Sequence, residues 1–272
     1  KITLQKFVIF TAMGFCNEEG TAGLLISARF VPICFEILHA NRSIRAKIGA
    51  AAILSGISQF ESINTAIRSH QGIDKLVQYL KNTQAGIISL RRRSKLLEGK
   101  IKNHAAKIVN DKRQAKMKLL ARTGSLVGLR QDSMRLSISK LNLRKKNTSI
   151  AEEFNEKKIQ ATIDYIGKAV IHELHMQNYL LETLYYLAKN TRTRDYLITT
   201  YTWGPFINPL MEKATLSWGT RLCGTLIVSG KKLQEFNNKT GIRRLVESLQ
   251  TFRGNEQTIN SALVCFFTLS TS

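Results

Sequence analysis

The feature that most constrains this chain is an apolar pattern that returns after 42 residues. Val31, Phe35 and Leu38 recur as Ile73, Val77 and Leu80, each 42 positions on. The same shift carries Ile9, Ala12, Gly14 and Phe15 onto Ala51, Leu54, Gly56 and Ile57. Within each block the apolar residues recur at the spacing of one helical face. A unit of this length holds a few short helices whose apolar faces it cannot cover alone. Neighbouring units must therefore stack, and the pattern predicts an all-α solenoid. Only 3 prolines occur in 272 residues, which suits helices joined by short turns.

The spacing predicts a helix over 4–17 that ends near Asn17-Glu18-Glu19-Gly20, then a shorter helix, then one over 31–39. Asn41-Arg42-Ser43 reads as a turn and cap. A helix over 44–58 follows, with Ile48, Ala51, Ala52, Leu54 and Ile57 as its buried stripe. Its small residues at 49–52 and at Gly56 would let another helix approach closely. Helices over 60–70 and 73–81 supply the next pair, and further stripes fall at 179–189, 216–229 and 259–270. The last two are in register: Leu216, Leu222 and Leu226 return as Ile259, Cys265 and Leu269, 43 residues on.

Gly72-Ile73-Asp74-Lys75-Leu76-Val77-Gln78-Tyr79-Leu80 and Gly241-Ile242-Arg243-Arg244-Leu245-Val246-Glu247-Ser248-Leu249 each place a turn glycine before a helix of the form G-I/V-x-x-L-V-x-L-L. Third-helix stretches fall at 50–58, 179–189, 216–229 and 259–270. On these residues the chain resembles the armadillo-repeat family over residues 1–85 and 160–272. The resemblance implies three helices in about 40 residues per repeat and a scaffold that offers surfaces to partners. Such scaffolds serve many unrelated partners, so it implies a fold more than a function. Many peptide-binding members carry a third-helix Asn, in an A-L-x-N-L setting, that holds an extended ligand. The matching places here are Gly14, Gly56, Tyr186 and Thr225. Trp203 and Trp218 do not recur as the Trp/Asn arrays of nuclear-import adaptors do. Both departures weigh against those two roles.

Between the two resembling parts the rhythm stops. Residues 91–146 hold 18 Lys/Arg against three acids, Glu98, Asp111 and Asp132, which is +15 of the chain's net +22. Leu97, Ile101, Ala105, Ile108, Ala115 and Leu119 recur at helical steps and predict a long amphipathic helix, with Lys112 intruding on its stripe. Thr123-Gly124-Ser125 through Gly128 reads as a turn. A second basic helix is expected over 129–143, with Met134, Ile138 and Leu141 on one side. Asn147-Thr148-Ser149 would cap a further helix over 150–174, whose Ile159, Ile163, Ile166, Val170 and Leu174 lead back into the repeats. The expected fold is thus an armadillo-like α-solenoid interrupted by a basic helical hairpin. Its parts are N-terminal repeats over 1–85, the insertion over 86–149 and C-terminal repeats over 150–272.

Uncompensated like charge repels itself and implies a polyanionic neighbour. The candidate contacts are Arg91, Arg92, Arg93, Lys95, Lys102, Lys107, Lys112, Arg113, Lys116, Lys118, Arg122, Arg144, Lys145 and Lys146. They are densest in the runs 91–95 and 144–146. No Phe, Tyr or Trp occurs in 91–146, so stacking on unpaired bases is not the expected mode. Contacts would go to phosphates, which position a nucleic acid without reading its sequence. That chemistry suits structured RNA, such as rRNA, in a fixed assembly; an acidic tubulin surface is the other polyanion considered.

Motifs for catalysis are incomplete. His172-Glu173-Leu174-His175 is one residue short of H-E-x-x-H and has no evident third ligand. Gly230-Lys231-Lys232 lacks the upstream glycine and following Ser/Thr of a phosphate loop, and carboxylates are scarce and scattered. The chain is expected to be no enzyme and to need no cofactor or metal. Cys16, Cys34, Cys223 and Cys265 form no C-x-x-C pair and read as buried, reduced thiols in a reducing compartment. The three N-x-S/T triplets at Asn41, Asn147 and Asn238 then read as chance. No window offers about 18 uninterrupted apolar residues; the most apolar run, 23–38, is broken by Arg29 and Pro32, so no membrane insertion is expected. Lys1 stands at once in a helical pattern, so a preceding transit segment or earlier repeat is expected. Together these observations predict a non-catalytic scaffold of a large ribonucleoprotein, of organellar ribosome type, with mitochondria favoured. The insertion would meet RNA and the solenoid its protein neighbours. A microtubule-associated cytoskeletal or ciliary adaptor, and a peptide-binding armadillo adaptor, are the alternatives.

Overall fold

The computed structural model describes residues 12–16, 18–40, 43–69, 71–123, 132–252 and 256–271. Regular structure among them is helical throughout. In chain order the helices are α1 (Glu19–Ser27), α2 (Phe30–His39), α3 (Ile44–Ser58), α4 (Glu61–Ser69), α5 (Gly72–Thr123), α6 (Asp132–Ala188), α7 (Thr191–Thr200), α8 (Gly204–Ile207), a 3-10 turn over Asn208–Met211, α9 (Leu216–Leu226), α10 (Gly230–Asn238), α11 (Gly241–Thr251) and α12 (Glu256–Thr271).

These helices fall into three-helix units. The set α1, α2 and α3 forms one unit. In the next, α4 and the start of α5 are the first two helices, and the end of α6 takes the third place. A further unit comprises α7, α8 with its 3-10 turn, and α9; the last comprises α10, α11 and α12. Glu19 and Glu61 open first helices, and Phe30 and Gly72 open second helices, each pair 42 residues apart. The period seen in the apolar residues is thus carried by the helix boundaries, and the fold is an armadillo-like helical repeat. Pro209 ends α8 after one turn, because it has no N–H to continue the helical hydrogen bonds, while Pro205 stands in the first turn of α8, where none is needed.

One turn recurs between first and second helices. Arg29 (φ 58°), Gln71 (φ 53°) and Thr240 (φ 66°) are the non-glycine residues with positive φ among those described, and each directly precedes a second helix. The left-handed region costs an L-residue about 1–2 kcal/mol, so packing must hold these turns. In two of them a glycine follows. A Cβ on Gly72 would lie 2.9 Å from Phe35 Cζ, and one on Gly241 would lie 2.5 Å from the Phe236 ring. The turn glycines serve close approach, while their neighbours carry the unusual dihedral. Third and first helices are capped conventionally: Ser43 Oγ accepts from the Ala46 N–H at 3.3 Å, Asn190 Oδ1 from Thr193 at 3.3 Å and Ser229 Oγ from Lys232 at 3.4 Å.

The chain divides into two compact units, Lys1–Ile88 with Ile171–Ser272, and Ser89–Val170. In the first, Val31, Phe35, Leu38, Val77, Leu80, Leu180, Leu184, Leu216, Leu222 and Leu245 belong to one buried cluster. Helix α3 is buried on all sides from Gly49 onward rather than along a stripe. Small residues make this possible: a Cβ on Gly56 would stand 2.8 Å from Cys16 Cβ. Across the second and third three-helix units, the Tyr196 hydroxyl donates to Asp74 Oδ1 at 2.7 Å. The Tyr201 hydroxyl donates to the same oxygen, and Lys81 Nζ lies 5.2 Å from the Tyr201 ring centroid. Cys16, Cys34 and Cys223 are buried, and Cys16 and Cys34 are free thiols; burial, with a smaller contribution from Cys16, pushes the Cys34 thiol up to about 12. The Cys265 side chain lies outside the described residues.

In the second unit Ile166 is buried, and Leu97, Ile101, His104, Ile108, Ile159 and Ile163 are half-buried. His104 Nδ1 lies 2.9 Å from Glu156 Oε1 and ties α5 to α6.

Three boundaries differ from expectation, and one is that the helices expected over 150–174 and 179–189 are continuous within α6. No break separates 73–81 from the basic helix; α5 runs unbroken through both. Asn147-Thr148-Ser149 lies inside a helix rather than at the start of one, and the helices expected over 129–143 and 150–174 are one helix. The reason is phase: Leu141 and Ile159 are 18 residues apart, which is five turns at 3.6 residues per turn. The apolar stripes before and after the polar triplet thus share a face, and three weak helix formers do not outweigh that continuity. The expected turn at 124–128 and the start of the 4–17 helix lie outside the described residues. Among the described residues no single helix is long and apolar enough to cross a membrane. Helices α1 and α2 pass that test only together, bent by 73°.

Candidate nucleic-acid interface

The basic segment is presented by a helix. On α5, Arg91, Arg92, Arg93, Lys95, Lys102, Lys107, Arg113 and Lys118 are all exposed. Lys112, Lys116 and Arg122 stand on the same helix, and Arg144, Lys145 and Lys146 on α6, with side chains outside the described residues. At about 100° per residue, Arg92, Lys95, Lys102 and Arg113 fall on the half of α5 opposite Leu97, Ile101, His104 and Ile108, and Lys107 stands at its edge. From Arg91 to Lys118 the helix rises roughly 40 Å. Lys100 is exposed on it as well, a cation that the runs of adjacent charge did not single out.

Among the described residues no ion pair engages Arg92, Arg93, Lys95, Lys102, Lys107, Arg113 or Lys118. Glu98 instead accepts from the Ser94 hydroxyl at 3.0 Å. A rigid row of solvated cations on one face can meet a row of phosphates without first reordering its backbone. Long Lys and Arg stems still adapt the head groups to phosphate positions.

A second surface lies in the first unit and was missed by sequence reasoning. Tyr185 and Tyr186 near the end of α6 meet Trp218 of α9, with ring centroids 5.5 and 5.8 Å away. The two tyrosines are 5.2 Å apart at 62°. Lys189 Nζ lies 5.2 Å from the Tyr185 centroid and 4.9 Å from that of Tyr186. Arg221 Cζ lies 4.7 Å from the Trp218 centroid. Both cations are exposed while the three rings are half-buried. Glu182, one turn before Tyr186, has its carboxyl raised by burial. The cluster joins two helices about 30 residues apart in sequence, so no local motif announces it. The available signal was Trp218 and Arg221 at i, i+3 facing a Tyr-Tyr pair on another third helix.

No family model matches the chain, and no curated protein matches it. Among solved structures it is similar to an engineered protein from a structural-genomics programme, at 10% identity over 98% of this chain and 93% of that one, TM-score 0.47. A second engineered protein is 10% identical over 100% of this chain and 92% of that one, TM-score 0.46. A designed armadillo repeat protein in complex with the peptide (KR)4 is 10% identical over 96% of this chain and 91% of that one, TM-score 0.42. The order of the helices and the recurring left-handed turn, not these scores, define the repeat.

Proposed function

We propose that this chain is a non-catalytic armadillo-family scaffold of a large ribonucleoprotein, of mitochondrial or other organellar ribosome type. Its three-helix repeats hold protein neighbours, and the basic helices of its second unit bind the phosphates of structured RNA. The observation that carries this reading is the row of exposed cations on α5. A row of this kind is electrostatically unfavourable alone and is relieved when it meets RNA phosphates and displaces their condensed counterions. Family membership is supported by the three-helix order and by the two Gly-Ile-x-x-Leu-Val helices. A reducing compartment is supported by the buried, free thiols of Cys16 and Cys34.

The test is ultraviolet crosslinking in cells that express the full chain, with adducts mapped by mass spectrometry. RNA adducts are expected on residues 91–118. Crosslinks to tubulin alone, with none to RNA, would replace this reading by that of a microtubule-associated adaptor.

A further inference from the structure

We propose that Tyr165, on the part of α6 that belongs to the second unit, is a stacking platform for one unpaired nucleobase, with Lys158 and Lys168 holding the phosphates on either side of it. Residues 89–170 carry 21 Lys/Arg against 7 Asp/Glu, and their only Phe, Tyr or Trp residues are Phe154 and Tyr165. Tyr165 is 73% exposed, so its ring is not used by the core. At about 100° per residue, Lys158, Ala161, Tyr165, Lys168 and Ala169 share one side of α6, while Ile159, Ile163 and Ile166 take the other. Both lysines are exposed and Ile166 is buried.

The order of residues along that side is what points to a ligand. A long side chain on a helix lies back over the turn before it. For Tyr165 that turn presents Ala161, and Ala169 stands one turn beyond, so small residues flank the ring at i−4 and i+4 and leave its faces bare. The cations follow at i−7 and i+3, roughly 15 Å apart along the axis. Their flexible stems let the ammonium groups close on the backbone to either side of a base seated on the ring. The nearby acids are turned to other partners: Glu156 Oε1 lies 2.9 Å from His104 Nδ1, and Asp164 Oδ1 accepts from Gln160 Nε2 at 3.0 Å. An open aromatic face between two cations suits a base on the ring and its phosphates on the ammonium groups. A protein partner is disfavoured, because lysine is depleted where a protein interface buries its aromatic anchors. The stretch 91–146, without aromatics, offers phosphate contacts alone; Tyr165 lies beyond it and adds a base. The inference rests on the RNA-binding reading above and sharpens it to structured RNA that carries an unpaired nucleotide in a bulge or loop.

The test uses the full chain and two RNA hairpins that differ by a single unpaired uridine in the stem. The wild type should bind the bulged hairpin at least fivefold more tightly than the paired one. With 5-iodouridine at the bulge, ultraviolet light should give an adduct on Tyr165. Tyr165→Ala, a change at an exposed position, should keep the thermal midpoint, bind the paired hairpin as before and lose the preference. Its salt slope should be unchanged, because stacking releases no counterions, and Tyr165→Trp should keep the preference. K158Q/K168Q should instead flatten the slope on the bulged hairpin by about 1.5. A preference that survives Tyr165→Ala, equal binding of the two hairpins by the wild type, or an adduct elsewhere would overturn the proposal. So would a benzophenone amino acid in place of Tyr165 that captures protein and no RNA in cells. If the wild type binds neither hairpin, the RNA reading and this one fall together. If it binds both alike, with adducts on α5, this one alone falls.

Discussion

Replacing Gly56 by alanine should destabilise the first unit, although alanine is the better helix former. In an open helix interior the exchange is worth about 0.8–1 kcal/mol in favour of alanine. At Gly56 the new Cβ would stand 2.8 Å from Cys16 Cβ and 3.1 Å from its carbonyl oxygen. Cys16 is buried, so it cannot swing into solvent, and overpacking of this kind typically costs about 1–3 kcal/mol. The net loss should be about 1 kcal/mol. Both tryptophans, Trp203 and Trp218, lie in the first unit, so their fluorescence in urea reports that unit. A loss of this size moves the midpoint down by roughly half a molar. Gly99 on α5 is the control, because nothing lies within 4 Å of a Cβ placed there. Gly99→Ala should stabilise the second unit by about 0.8 kcal/mol, read by far-UV circular dichroism. In a Cys16→Ala background the penalty at Gly56 should shrink, which a double-mutant cycle measures. If Gly56→Ala leaves the midpoint unchanged or raises it, the close packing of α3 against Cys16 is wrong.

Cys34, with its thiol pushed up to about 12 by burial, should ignore a disulfide reagent at pH 8 in the native chain and react once urea unfolds it. Fast native labelling at Cys34 would contradict its placement. Thr240→Gly should raise the thermal midpoint, since the left-handed φ of 66° costs a β-branched residue about 1 kcal/mol or more; a lower midpoint would mean the turn is held differently. Burial, and then the hydrogen bond and charge of Asp74, hold the Tyr201 phenol well above the ordinary tyrosine range. Folding therefore favours the neutral phenol. That stability is complete below the unfolded pKa of about 10 and is lost as pH rises toward the folded one. Titration at 295 nm should show a late-ionising tyrosine that moves down in Asp74→Asn. Leu184→Ala, at a fully buried position, should cost about 2–5 kcal/mol, and a loss below 1 kcal/mol in the fluorescence transition would refute its place in the core.

The repeat was legible because it is a matter of period. Val31, Phe35 and Leu38 and their partners 42 residues on report burial faces that recur whatever the partner, and the structure buries all but the half-buried Ile73. Ser43 was legible as a cap because capping chemistry is local. The continuity of α6 was not, since Asn147-Thr148-Ser149 has strong local turn and cap character while the opposing evidence is an 18-residue phase relation. The left-handed residues were hidden for another reason: Arg29, Gln71 and Thr240 share no side-chain chemistry, only a place before a second helix. The aromatic cluster was hidden because Tyr186 and Trp218 are brought together by tertiary packing alone. Charge density on α5 was visible at once, and the structure adds that Arg92, Lys95, Lys102 and Arg113 stand opposite its apolar stripe.

The salt dependence of RNA binding by the full chain tests the central claim most directly. Each phosphate contact contributes about 0.7–0.9 to the slope of log K against log salt concentration. Replacing Arg92, Arg93, Lys95 and Lys102 together by Gln should therefore flatten the slope by about three and weaken binding similarly for RNAs of different sequence. A slope unchanged by these four substitutions, or RNA binding too weak to show one, would contradict the reading of α5 as a phosphate-binding helix.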